Sequence, residues 1–353
     1  MVEGIQNMNQ ALKNRQRANR AADGSKDTLR VGVDDGYAMT KVALPDGGLF
    51  KIPSRARAGA SGVSAISEVR HESDLDCGYE TEGARYSVAD YLEGEGTRFN
   101  EYPLSALNRV VIHHALRVAG LSGRSVEIAT GLPVAHYFQD AKPDVELIHR
   151  KIASLQKPVT TVIGVKCAEI AANYVHAEGV AAWMDYALDD KGNIAEVNMG
   201  APAAVVDIGG RTTDCVLVLP GFKVDHARSG TGDIGVLKLY DAVGQRIRAR
   251  YNVGNIPVYV LERATIAKKI KLWGKDYDIA EIVEVSMREV GDQILREVQR
   301  RIGAGHDLEK VLFVGGGAVV FDNLQQSFPN AAVPAAPEFA NARGLMKCIN
   351  YLL

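Results

Sequence analysis

Cysteine is scarce in this 353-residue chain, and the four present, Cys77, Cys167, Cys215 and Cys348, lie far apart with no CxxC pair. That spacing argues against a disulfide framework, and the eight histidines form no HExxH, so no zinc site is indicated. Charge of one sign is also missing: 41 Lys and Arg stand against 43 Asp and Glu, a formal net charge of -2. Such a chain does not coat nucleic acid or an anionic membrane by charge alone, so whatever it binds must be bound locally. No run approaches the ~18 consecutive apolar residues of a membrane span, and the N-terminus lacks the apolar stretch of a secretory signal. A cytoplasmic location is expected. The pattern GxxxxGK[ST] is absent too, which excludes a P-loop nucleotidase.

What is present is the composition of a soluble globular protein, 46% hydrophobic and 24% charged. At roughly 150 residues per domain the chain should hold about two. Charge is unevenly placed: residues 1 to 30 carry six basic residues against three acidic ones, a local +3 that leaves the remainder at -5. This leader has few apolar residues and reads either as a frayed segment or as a basic contact arm.

Ordered structure should begin near Leu29. Arg30 to Asp34 reads as a strand, Met39 to Leu44 as a second and Leu49 to Ile52 as a third, joined by turns at Asp35-Gly36 and Pro45-Asp46-Gly47-Gly48. Residues 55 to 100 suggest loops and short strands of a peripheral subdomain. A helix from Pro103 to a capping Gly120, a strand Ser125 to Thr130, a helix Asp144 to Leu155, a strand Thr160 to Val165 and a long Ala-rich helix Ala168 to Leu188 follow. After a turn cluster at 189 to 193 the meander returns: Ala203 to Ile208, Thr213 to Leu219 and Lys223 to Arg228. An offset of 173 residues lays Asp34 on Asp207, Gly36 on Gly209 and Thr40 on Thr213. Two related halves, each opening on a meander whose first turn carries Asp-x-Gly, predict two facing α/β domains with an anion in the cleft between them.

The two turns have the composition of phosphate-holding loops, with glycines that let backbone N–H groups approach an anion and hydroxyls at Thr212 and Thr213 beside them. Taken singly, Asp34 and Asp207 read as turn residues satisfying backbone N–H groups. As a repeated pair beside an anion they make sense if Mg²⁺ lies between them, held through its waters. Lys41 could neutralise a phosphate oxygen. Val311 to Val314 should be a buried strand running into Gly315-Gly316-Gly317-Ala318, where a flat ligand such as a purine can lie against the backbone, although a glycine run after a strand can equally be only a tight turn. Gly230-Thr231-Gly232-Asp233-Ile234-Gly235 fits GxGxxG, but it follows a hairpin strand rather than opening a βαβ unit, so it is read as a decoy.

Asp-x-Gly with a lysine seven residues after the aspartate, then Asp207-Ile208-Gly209-Gly210-Arg211-Thr212-Thr213-Asp214, then Gly315-Gly316-Gly317-Ala318, resembles the phosphate-1, phosphate-2 and adenosine motifs of the actin, sugar kinase and chaperone ATPase superfamily. Within it the chain looks most like the plasmid-segregation actins of the ParM/StbA type, through Asp34-Asp35-Gly36, His113-His114-Ala115-Leu116, Leu132-Pro133 before Tyr137, and the late Asn341 to Gly344 helix. The resemblance implies an actin-like α/β fold of two related domains, each a mixed sheet starting with a three-stranded meander and flanked by helices, with the nucleotide in the cleft. The expected division is a basic leader at 1–28, domain I at 29–200 with the C-terminal helix 339–353 returning to it, and domain II at 201–338. It also implies ATP and ADP as ligands with Mg²⁺, slow hydrolysis coupled to polymerisation, self-association into filaments that segregate plasmid DNA, and an adaptor protein on a centromere-like plasmid site. Direct nucleic-acid binding is expected only through the leader, and no membrane partner is expected.

Carried over by position, Asp34 and Asp207 would order the metal and its waters. Gly36, Tyr37, Lys41, Gly209, Gly210, Arg211 and Thr212 would line the phosphates, and Gly315, Gly316 and Gly317 would face the adenosine. Glu169, placed at the start of the Ala-rich helix, matches the acidic residue that positions the attacking water, with Asp207 as the second catalytic group; a helix-start carboxylate facing the dipole is its purely structural role. Two departures stand out: Tyr37 and Ala38 occupy a turn where a small hydroxyl residue is usual, and Arg211 stands where threonine is common. Two other functions suit the same fold, a monomeric sugar or acyl kinase and a nucleotide-gated assembly scaffold.

Overall fold

The computed structural model describes residues 28–60, 78–89, 97–194 and 200–353. The leader falls almost wholly outside them. β1 (Leu29–Asp35), β2 (Met39–Ala43) and β3 (Leu49–Pro53) form the expected antiparallel meander, and β4 (Ala56–Ala58), β5 (Gly78–Thr81) and β6 (Ala84–Val88) begin a peripheral sheet. Next come β7 (Ser125–Leu132), a two-stranded hairpin of β8 (Phe138–Gln139) and β9 (Lys142–Pro143), then β10 (Thr160–Thr161) and β11 (Glu169–Ala177). The first main sheet runs β11-β7-β1-β2-β3, with β7 and β11 parallel to β1, and the peripheral sheet runs β10-β5-β6-β4. Val31 and Val33 on β1 are fully buried, as a strand at the centre of such a sheet requires.

The second main sheet repeats the plan. β12 (Ala203–Ile208) pairs antiparallel with β13 (Thr213–Leu219), which pairs with the two-residue β14 (Lys223–Val224) and with β15 (Gly230–Gly232). A hairpin of β16 (Lys269–Leu272) and β17 (Lys275–Asp278) stands apart, while β18 (Lys310–Val314) lies parallel to β12 and β19 (Ala331–Ala332) parallel to β18. Register shows how close the repeat is. Asp34 faces Lys41 across the first hairpin and Asp207 faces Asp214 across the second, and the same offset of 173 relates both pairs.

Helices Val236–Tyr251 and Ala280–Ile302 bury Leu239, Val243, Ile294 and Val298 in the core of the second sheet. In the first half, helix Ala106–Val118 starts at Ser105, whose hydroxyl accepts from the Asn108 amide at 3.1 Å, and helix Val145–Leu155 at Asp144, which caps Leu147 at 2.9 Å. The last helix, Ala340–Lys347, lies against β1 and against helix Val180–Ala187. No helix among the described residues is long and apolar enough to cross a membrane.

Three elements differ from the expectation. The segment Ala168 to Leu188 is not one helix but β11 followed, after Glu178 and Gly179, by helix Val180–Ala187. Alanine favours helix, yet pairing with β7 and the alternate burial of Asn173, Val175 and Ala177 outweigh that preference. The strand expected over Thr160 to Val165 is confined to Thr160–Thr161, and that over Lys223 to Arg228 to Lys223–Val224.

Candidate functional site

Strands β1 and β11 of the first sheet and β12 of the second each end at or beside an acid followed within two residues by glycine: Asp34 with Gly36, Glu178 just past β11 with Gly179, and Asp207 with Gly209. These three carboxylates line one cavity of about 560 Å³ between the two main sheets. Its size is that of a small-molecule or cofactor site, and its mouth lies beyond the carboxyl ends of the strands, where open α/β sheets bind their ligands.

Lys41 reaches back along its hairpin to Asp34, with Nζ 2.7 Å from Oδ2, and both side chains are buried. Burial opposes the ammonium charge, but Asp34 beside it and Asp207 beyond hold the lysine above its ordinary pKa. The acids outnumber it. Burial, then the charges of Asp214 and Asp34, push Asp207 up to about 7, while the Asn341 amide and Lys41 pull the other way. Burial and then the charges of Asp34, Asp214 and Asp207 hold Glu178 well above the carboxylate range. Asp214 sits behind the cavity, accepting from the Val134 amide at 2.9 Å and the Thr212 hydroxyl at 3.2 Å, and burial raises it to about 6.

Carboxylates crowded around one paired lysine fit a cation. Asp34 and Asp207 both face the cavity, and among the described residues no three His, Cys, Asp or Glu side chains converge tightly enough to ligate a metal directly. An Mg²⁺ ion held through its own waters suits that donor set.

Proton linkage gives a measurable consequence. Asp207 has an ordinary value of 3.8 and a folded value of about 7, so between these the nucleotide-free folded chain holds a proton that the unfolded chain has released. Its contribution to stability is therefore complete below the lower value and lost as pH rises through the upper one. Melting temperatures measured from pH 4 to 8 without nucleotide are expected to fall with rising pH more steeply in the wild type than in Asp207→Asn. Equal slopes would refute this titration.

Gly36, Tyr37, Lys41, Gly209, Gly210, Thr212 and Gly316 line the cavity along with Asp34 and Asp207. Four predicted residues do not. Glu169 is the exposed first residue of β11, opposite Ser125, at the end of the strand remote from the cavity. The misread helix put the acid at the wrong end, and the acid at the cavity is Glu178. Arg211 does not line the cavity; its guanidinium stacks 5.1 Å over the Tyr37 ring and donates to Asp233 at 2.8 Å and Asn100 at 2.9 Å. Gly315 and Gly317 pack on the end of β12, where added Cβ atoms would come within 2.3 Å of the Asp207 carboxylate and 2.1 Å of the Ile208 side chain. Gly209 lines the cavity, but its amide is already bonded to the Thr212 carbonyl at 2.8 Å, so it closes the turn rather than offering a donor. The decoy Gly230 to Gly235 forms β15 and the entry to helix Val236–Tyr251, with no βαβ unit.

Sequence reasoning missed Glu178 and Asn341. Glu178 is held by two glycines: Gly179, at φ +73°, turns the chain into the next helix, and a Cβ on Gly131 would lie 2.7 Å from the Glu178 side chain. Asn341 donates to Asp207 Oδ2 at 2.6 Å and accepts from the Gly179 amide at 3.0 Å.

Residues 29–187 match the family model described as plasmid segregation protein ParM, N-terminal, and residues 205–326 match that of the archaeal actin homologue MreB-like, C-terminal. Among solved structures, a 15-stranded ParM filament from Clostridium botulinum is similar at 17% identity and TM-score 0.74, covering 93% of this chain and 100% of that one. Ta0583, an archaeal actin homologue in complex with ADP, is similar at 20% identity and TM-score 0.72, covering 91% and 99%. The actin-like protein Alp7A is similar at 17% identity and TM-score 0.70, covering 91% and 95%. No curated protein matches the chain by sequence. The fold is actin-like, and the resemblance to ParM/StbA-type proteins holds through the family model over the N-terminal half.

Proposed function

We propose that this chain, actin-like in fold and ParM-like in its N-terminal half, is an ATPase that polymerises with ATP and Mg²⁺ and disassembles after hydrolysis, so that its filaments move plasmid copies apart. The observation that carries the reading is the convergence of Asp34, Glu178 and Asp207 with Lys41 in one cavity between the two halves. In this reading Lys41 binds phosphate oxygens, Asp34 and Asp207 orient the waters of the metal, and Glu178 accepts a hydrogen bond from the attacking water. Bound Mg²⁺ would neutralise charge on the phosphate oxygens. Hydrolysis then needs little more than positioning and electrostatics, which suits a slow timer. The partners proposed are other copies of the chain and an adaptor protein seated on a centromere-like plasmid site.

Light scattering and electron microscopy of the purified protein with ATP and Mg²⁺ test this directly. Filaments that form with ATP and disperse as phosphate is released are the expected result. No filaments at any concentration, despite nucleotide binding, would overturn polymerisation, and ATP consumption that requires a small acceptor would favour a kinase.

A further inference from the structure

Asn341 sits on the last helix of the chain, buried, where the two halves meet. One end of its amide touches Asp207 at the tip of β12, and the other touches the backbone of Gly179, the residue after Glu178. A carboxylate can only accept and a backbone N–H can only donate, so the amide must turn Nδ2 to Asp207 and Oδ1 to Gly179. A side chain with one donor and one acceptor in that span is what the two neighbours require. Gly179 is itself fixed, because its left-handed backbone begins helix Val180–Ala187 and a Cβ there would strike Val216 at 2.7 Å. The Glu178 amide is held as well, donating to the Leu132 carbonyl at 2.8 Å.

We propose that Asn341 is a positioning residue that ties Asp207 of the second sheet to the Glu178-Gly179 turn of the first, setting the spacing between the acid that orients the metal and the acid that orients the water. It touches no reacting atom and is bonded to both sides of the cleft. The inference rests on the nucleotide-binding and hydrolysis reading above. The strained alternative, in which Asn341 merely fills space beneath the helix, makes a different prediction for an isosteric side chain.

Two variants of the full chain separate these roles. Asn341→Leu keeps nearly the same shape but removes both hydrogen bonds, and Asn341→Ser keeps a small group able to donate and accept. For Asn341→Leu, kcat for ATP hydrolysis is expected to fall at least tenfold, and the Mg²⁺ concentration for half-maximal binding of a fluorescent ADP analogue to rise about threefold or more. Metal-free binding of the analogue should change less than twofold. Asn341→Ser should recover part of both losses. A fold check by circular dichroism accompanies each variant, and if Asn341→Leu does not fold the Asn341→Ser values decide, with a Mg²⁺ requirement equal to wild type overturning the proposal. If the wild type binds the analogue with Mg²⁺ and Asn341→Leu leaves both kcat and the Mg²⁺ requirement unchanged, the proposal fails while the functional reading stands. If the wild type shows no Mg²⁺-dependent nucleotide binding, the functional reading fails and this inference with it.

Discussion

Glu178→Ala should lower ATP turnover by roughly 100-fold, the scale on which a positioned acid or base contributes to a hydrolysis, while binding of MgATP stays within about threefold. Asp34 is committed to Lys41 and Asp207 to Asn341, whereas among the described residues no side chain is bonded to Glu178, which lies over Gly131 facing the cavity. Burial and four neighbouring carboxylates raise its pKa well above the carboxylate range. A cation bound beside it would favour the ionised side chain, which can accept a hydrogen bond from water. Glu178→Gln, nearly the same shape without the charge, should lose as much as the alanine variant, and Glu169→Ala should turn over as wild type does. Phosphate release under single-turnover conditions checks all three. Normal turnover by Glu178→Ala would remove it from the mechanism, and loss by Glu169→Ala would restore the original assignment. With hydrolysis slowed and binding kept, filaments should persist long after those of the wild type have gone.

Lys41→Met should cost both the ligand and the fold. Removing one partner of a buried ion pair leaves the other charge uncompensated, at roughly 3–5 kcal/mol, and Asp34 would be left among Asp207, Glu178 and Asp214 with no cation. Urea denaturation should show that loss, and MgATP binding should weaken by 100-fold or more because the cluster of Asp34, Glu178 and Asp207 loses the cation beside it. Lys41→Met combined with Asp34→Asn separates the two effects. The double variant should regain most of the stability, since no charge is stranded, and should still fail to bind nucleotide. Recovery of binding in the double variant would mean that Lys41 serves only to balance Asp34.

How much of this was readable beforehand depends on the kind of signal. The meanders were legible because Gly36, Pro45 to Gly48 and Gly209-Gly210 punctuate runs of β-formers, and the repeat then put Asp34 and Asp207 at matching strand ends. Helix Ala106–Val118 was legible between Pro103 and the capping Gly120, and helix Val145–Leu155 from Asp144 onward. Local preference failed where a tertiary ladder decided. In the stretch around Ala171-Ala172, alanine spoke for helix, and only the parallel partner β7 makes it a strand. Reading the stretch as a helix is why the sequence pointed to Glu169, which lies at the far end of β11 from the cavity that Glu178 lines. Gly179 was the available clue, an acid and then a glycine after a run with alternate burial, as at the other two strand ends. Arg211, Gly315 and Gly317 were misplaced for another reason: a motif fixes which residues lie in a loop, but which of them face the cavity depends on packing against Tyr37 and β12. Asn341 gave no local sign of its contacts, since both lie more than 130 positions away.

Among the matched positions at which the two hairpins differ, one carries opposite charges, Lys41 in the first and Asp214 in the second. Two identical halves would make a socket with pseudo-twofold symmetry, and an elongated polyanion could enter it either way round. In the nucleotide reading proposed above, exchanging a cation for an anion at that position would draw the phosphates toward Lys41 and leave the other half to the base, so that every occupied subunit would carry its ligand in the same sense.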